Sequence, residues 1–104
     1  MIQRSEIGVL AARIGHQVNA LQVILFGSHA QGTARADSDI DLLIIAESDL
    51  PVPQRISAAY RAIVPYSHPV DMLVYTPAEI QRLLKRNWSV AAKAYREGQL
   101  VYER

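Results

Sequence analysis

The sequence predicts an α/β (α+β) fold in which a small mixed sheet is flanked by helices. Three short apolar runs carry that reading. Leu21 to Phe26, Asp39 to Ala46 and Val70 to Tyr75 have strand length, and turn-forming or capping residues bound them. The segments around them repeat apolar residues every three or four positions, as helices do. The resulting order is helix, strand, loop, strand, helix, strand, helices and a short last strand, the pattern of a layered α/β sandwich. At 104 residues the chain is expected to be a single domain spanning 1–104.

The first helix is expected from Ser5 to about Asn19, because Ile7, Leu10, Ala11, Ile14 and Val18 share one face. Ser5 suits its N-cap and Glu6 its first turn. Gly8 and Gly15 weaken this helix and suggest a close approach to the sheet. The first strand ends at Gly27, and Ser28 to Asp37 is a polar loop with room for one helical turn after Ser28. After the second strand, Pro53 opens a helix carrying Ile56, Ala59, Tyr60 and Ile63, which Pro65 stops. Thr76-Pro77-Ala78-Glu79 is a capping box with proline at the first helical position, and Ile80, Leu83 and Leu84 form the inner face behind it. After a break near Asn87, Trp88, Ala91, Ala92 and Tyr95 extend a helical core stripe. Gly98 caps it, and Leu100 to Tyr102 reads as a last edge strand.

Composition removes several functions. The net charge is +1, which gives no support to a broad nucleic-acid face. No run of 18 apolar residues exists to form a membrane span, and MIQRSEIG lacks the apolar core of a signal peptide. There is no cysteine, hence no disulfide and no thiolate metal site. A cytoplasmic location is the default expectation.

Connection lengths give the chemistry a place. About ten residues join the first two strands, which favours an antiparallel pair; a helix joins the second and third, which favours a parallel crossover. Gly27 and Ser28 should then lie beside Asp39 and Asp41, with Asp71 at the same end of the sheet. Alternation points Asp39 and Asp41 the same way, about 6.6 Å apart along the backbone, so both carboxylates can reach one divalent ion. Oxygen ligands select magnesium or manganese over zinc. Asp71 adds a third carboxylate, enough for two ions about 3.5–4 Å apart, and could accept the proton of an attacking hydroxyl. The glycine of Gly27-Ser28 lets backbone amides approach a phosphate. Gly-Lys-Ser/Thr is missing, so this is no Walker A loop, and Arg35, the only cation between Gly27 and Asp39, is the candidate phosphate contact. Gly32 is read as a backbone residue. His16 and His68 are read as structural or exposed, while for His29, beside the site, a nucleotide contact is the weaker expectation. Tyr60, Tyr95 and Trp88 are assigned to core stripes.

Gly27-Ser28, Gly32 and Ser38-Asp39-Ile40-Asp41-Leu42 together resemble the signature of the DNA polymerase β-like nucleotidyltransferases, and most closely their minimal bacterial and archaeal branch. Asp71 and the ending Glu97-Gly98-Gln99-Leu100-Val101-Tyr102-Glu103 extend the resemblance over essentially the whole chain. It implies the polymerase β-like fold and transfer of a nucleoside monophosphate, usually from ATP, to a hydroxyl, releasing pyrophosphate. Asp39, Asp41 and Asp71 would be the catalytic metal ligands, for Mg²⁺ or Mn²⁺, and Gly27-Ser28 would hold the triphosphate. Members of this branch commonly pair with a HEPN-type ribonuclease toxin, and some adenylylate a tyrosine on it. The expected function is thus an adenylyltransferase acting as antitoxin. A binding-only antitoxin and an enzyme for a small hydroxylated molecule are the alternatives. No separate acceptor-binding domain is expected at this length, so the acceptor should be, or come from, a partner protein.

Overall fold

In a computed structural model, which describes residues 2–86 and 88–104, a four-stranded sheet in the order β3-β2-β1-β4 runs between two helical layers. Strand β1 (Gln22–Phe26) lies antiparallel to β2 (Ile40–Ile45) and to β4 (Gln99–Glu103), and β2 lies parallel to β3 (Val70–Tyr75). Both expected pairings hold. Among the described residues no helix is long and apolar enough to cross a membrane.

The two sheet faces follow from alternation along the strands. Val23 and Leu25 of β1, with Ile40, Leu42 and Ile44 of β2, pack in one core with Leu10 and Ile14 of α1 (Arg4–Val18) and Ala59 of α3 (Val52–Tyr60). The opposite face places Ile24, Leu43 and Ile45 against Ile80 of α4 (Pro77–Leu83) and Ala91 and Ala94 of α5 (Val90–Glu97). Asp41 and Asp71 share parity with Leu43 and Leu73, so alternation assigns both to the α4/α5 face.

Several local expectations are corrected. The cap of α1 is Gln3, whose N–H donates to Glu6 Oε1 at 3.0 Å; Ser5 lies inside the helix. A Cβ on Gly15 would stand 2.3 Å from the Tyr102 ring, the close approach foreseen, whereas Gly8 has open space around it. Helix α3 starts at Val52, with Pro53 in its second position, and ends at Tyr60, ahead of Pro65. Bonds from Ala62 to Ala59 and from Ile63 to Tyr60 tighten the chain into a turn there, which still buries Ile63. The Thr76 capping box is present as read, with Thr76 Oγ1 accepting from Glu79 N at 3.2 Å and Glu79 Oε1 accepting from Thr76 N at 2.8 Å. Helix α5 begins only after Ser89, whose hydroxyl accepts from Ala92 N at 3.3 Å. Trp88 therefore stands outside the helix and 80% exposed, not in the core, and Tyr95 is at the surface too. The break expected near Asn87 lies outside the described residues. Gly98 caps α5 in an extended conformation, and β4 is one residue longer at each end than its expected core.

Candidate active site

Strand register assembles the acidic end of the sheet. Phe26, the last residue of β1, stands opposite Asp41, and Asp41 stands beside Asp71. Asp39 precedes β2 by one residue. Gly27 turns the chain out of β1 with φ +75°, in the left-handed region where side chains are strained. A Cβ there would sit 2.3 Å from Asp41 Oδ2, so only glycine lets the turn lie against that carboxylate. Gly27→Ala is expected to cost about 1–3 kcal/mol of stability from backbone strain. Displacing Asp41 should also lower transfer about a hundredfold, as read by thermal melts and turnover assays.

Ser28 begins a single helical turn, α2 (Ser28–Gln31), which ends at Gly32 in the left-handed conformation. The backbone role assigned to Gly32 is thereby explained. Both Ala30 N–H and Gln31 N–H donate to Gly27 O at 3.1 Å; the amides ahead of them, as at any helix start, have no partner within the turn. Arg35 lies on the exposed loop that follows, and its backbone N–H donates to Ser38 Oγ at 2.8 Å.

The three carboxylates feel one another. Burial, then the charges of Asp71 and Asp39, push Asp41 above the ordinary carboxylate range, with His29 pulling the other way. Asp71 is pushed up by burial, by the charge of Asp39 and by a hydrogen bond between the two carboxyl groups. Such mutual repulsion is what a nearby cation would relieve. Among the described residues no three His, Cys, Asp or Glu side chains are closed into a metal cage. The oxygen-only donors at this end of the sheet are of the kind magnesium takes, one or two carboxylates with water and phosphate completing its octahedron. The donor set fits the ion the sequence calls for.

Three residues support the site through contacts that their sequence readings do not include. His29 Nε2 and His68 Nε2 both reach Ser38 O, at 3.1 and 2.7 Å, with their rings edge to face at 5.9 Å. A carbonyl only accepts, so each ring donates its Nε2–H. Together they fix the peptide that leads into Asp39. Tyr60, assigned to the core, is half-buried and donates its hydroxyl to Val70 O, immediately before Asp71. Burial, then the charges of Asp71 and Asp39, push its phenol pKa up, which places it beside the acidic cluster. Only contacts across 9 to 30 residues reveal these roles, and spacing along the chain carries no trace of them.

Comparison with known proteins agrees with this geometry. The family described as "Polymerase beta, Nucleotidyltransferase" matches residues 10–104. A protein of Methanocaldococcus jannaschii named "putative protein adenylyltransferase" is 30% identical over 81 residues, covering 78% of this chain and 77% of the relative. The fold matches a crystal structure named as a "putative nucleotidyltransferase" from Sulfolobus solfataricus, with TM-score 0.64 and 23% identity over 97% of this chain and 84% of that one. It also matches a chain in a toxin–antitoxin crystal structure with AMP-PNP, with TM-score 0.63 and 21% identity over 99% of this chain and 75% of that one. A chain in a mutant MntA-HpeT toxin–antitoxin structure gives TM-score 0.60 and 21% identity at the same coverage. With the acidic end of the sheet built as described and the family matching from the first helix to the last strand, the chain belongs to the polymerase β nucleotidyltransferases.

Proposed function

We propose that this nucleotidyltransferase moves AMP from ATP, with Mg²⁺ or Mn²⁺, to a hydroxyl on a partner protein, a tyrosine of a HEPN-type toxin that it thereby silences. The observation that carries the reading is Gly27 packed on Asp41 with Asp71 alongside, a turn and an acid cluster sharing one edge. The name of the archaeal relative supports protein as acceptor, and the toxin–antitoxin neighbours, one with AMP-PNP, support the partner and the nucleotide. ATP as donor fits a cytoplasmic setting.

In this reading Gly27 and Ser28 hold the triphosphate through backbone amides, with Arg35 a rim contact at most. Asp39, Asp41 and Asp71 would hold the divalent ion, which when bound offsets the phosphate charge and makes the acceptor hydroxyl more acidic. The acceptor oxygen forms a bond to the α-phosphorus as the bond to the β-phosphate oxygen breaks. Pyrophosphate leaves with that electron pair. Asp71, beside Asp41 at the start of β3, takes the hydroxyl proton. His29 and His68 hold Ser38 so that Asp39 stays aimed at the ion. Replacing His68 with phenylalanine should weaken Mn²⁺ binding about tenfold or more, and His68→Gln, which keeps an N–H near the Nε2 position, should restore most of it. Mn²⁺ titration followed by electron paramagnetic resonance reads both.

The direct test is incubation with α-labelled ATP, Mg²⁺ and the protein encoded beside this one. Label on a tyrosine of that partner is the expected result. Label absent from the partner under conditions where the two proteins bind would sink the acceptor assignment.

A further inference from the structure

A cleft of about 440 Å³ opens from the acidic end of the sheet toward the start of α5, and its walls include Phe26, Gly27, Trp88, Val90, Lys93 and Glu97. Its size and mainly apolar lining with a few polar groups are those of a small-molecule site. Three further observations bear on what fills it. Gly27 is a wall of the cleft and also the residue packed on the Asp41 carboxylate, so the cleft begins next to the acid cluster. Phe26 packs with Ile24 and Leu43 on the α4/α5 face, the face to which alternation assigns Asp41. Trp88 stands 80% exposed at the rim of this apolar hollow, with the Arg86 guanidinium 5.9 Å from the ring centroid. A second cleft, about 270 Å³, touches Leu21, Ile45 and Glu103, at the far end of the same strands, and cannot share a ligand with the carboxylates.

We propose that this cleft seats the nucleoside of the bound nucleoside triphosphate, with Trp88 as the platform on which the base stacks and Phe26 as the floor. The proposal rests on the triphosphate reading of Gly27 and the aspartates. A triphosphate bound at Gly27 has its nucleoside one phosphate linkage from the α-phosphorus, and the cleft is the apolar hollow that begins at that glycine. A flat ring enters it with little cost, since its walls are already formed. The base covers indole surface that is otherwise in water. Lys93 and Glu97 supply polar contacts for ribose hydroxyls or ring nitrogens. Stacking is tolerant of base identity, so the seat contributes affinity more than choice among bases.

Trp88 is the chain's one tryptophan, so its fluorescence reports on the cleft alone. The protein is titrated in Mg²⁺ with ATP and, separately, with inorganic tripolyphosphate, following emission and, by calorimetry, affinity. ATP should quench Trp88, whereas tripolyphosphate should bind without quenching. Trp88→Ala should weaken ATP about tenfold and leave tripolyphosphate within twofold, and Trp88→Phe should recover most of the loss. The residue is exposed, so both variants should keep the parent melting temperature. Equal ATP affinity in Trp88→Ala, or tripolyphosphate binding as tight as ATP, overturns the nucleoside seat while leaving the triphosphate reading in place. If neither ligand binds, both fall together.

Discussion

Replacing Asp39 and Asp41 together with asparagine should reduce nucleotidyl transfer about a thousandfold or more while making the isolated domain more stable. Both effects have the same origin. Burial, then the neighbouring carboxylate charges, raise the proton affinity of Asp41 and Asp71, which strand register holds side by side. Removing two of them deletes most of the charge that would hold a divalent ion, worth several kcal/mol to the transition state at about 1.4 kcal/mol per factor of ten. It also removes repulsion that the folded chain carries and the unfolded chain does not. After allowance for solvent screening at exposed Asp39 and Asp71, a rise of about 2–5 °C in Tm is expected. The sign has a pH signature. Asp41 and Asp71 bind protons more tightly folded than unfolded. Metal-free stability should therefore fall as pH rises from the ordinary value of 3.8 through their raised values. The double variant should lose most of that slope, and Mg²⁺ should lessen it in the parent. Thermal melts across pH with and without Mg²⁺, alongside transfer assays, check the set. Cells protected from the toxin equally well by the double variant would show that binding alone neutralises the partner.

Breaking the Arg55–Glu79 pair should give the largest loss of stability, about 2–3 kcal/mol, or a Tm lower by roughly 10 °C or more. Arg55 is nearly buried, at 9% exposure, and its two terminal nitrogens reach the Glu79 oxygens at 2.6 and 3.2 Å. Its Nε donates to Leu50 O at 2.7 Å. Glu79 at the same time closes the Thr76 capping box at the start of α4. One ion pair thus joins the helix after β2 to the helix after β3, and with them the strands that carry Asp41 and Asp71. Arg55→Met leaves a half-buried carboxylate without its partner, whereas Glu79→Gln keeps part of the cap; the arginine change should cost more. The hydrogen bond from Arg55 leads the causes that hold Glu79 below its ordinary range. The stabilisation is complete above the ordinary value of 4.5 and is lost as pH falls through the lowered one, opposite to the trend at the acidic cluster. Urea titrations of both variants at neutral pH, where the pair is fully formed, measure the cost directly.

What the sequence made legible depended on distance along the chain. Period-two alternation and the lengths of two connections were enough to bring Gly27, Asp41 and Asp71 to one end of the sheet, because sheet pairing is set by local pattern and short loops. Thr76 and Glu79 were readable because their bonds span three residues. Arg55 was not, since its partner lies 24 residues away. His68 and Tyr60 escaped for the same reason, and their residue types fit a turn and a core stripe equally well. Trp88 was misplaced because apolar spacing does not register where a helix begins: the Ser89 cap starts the period one residue too late to include it. Arg35 is the cation nearest the aspartates along the loop; its backbone N–H donates to Ser38 Oγ and its side chain lies at the surface.

Strand β4 has a consequence for the order in which the protein is put together. Its pairing with β1 joins Gln22 to Glu103 across 81 residues, and Gln99 Nε2 donates to Ala30 O across 69, in the turn that follows Gly27. The antiparallel β1–β2 pair closes a far shorter loop and forms at much lower entropic cost. A folding chain can therefore set Asp39 and Asp41 beside the end of β1 while the glycine turn next to them still lacks its tether. The tether of the glycine turn comes with the strand that is latest in the sequence.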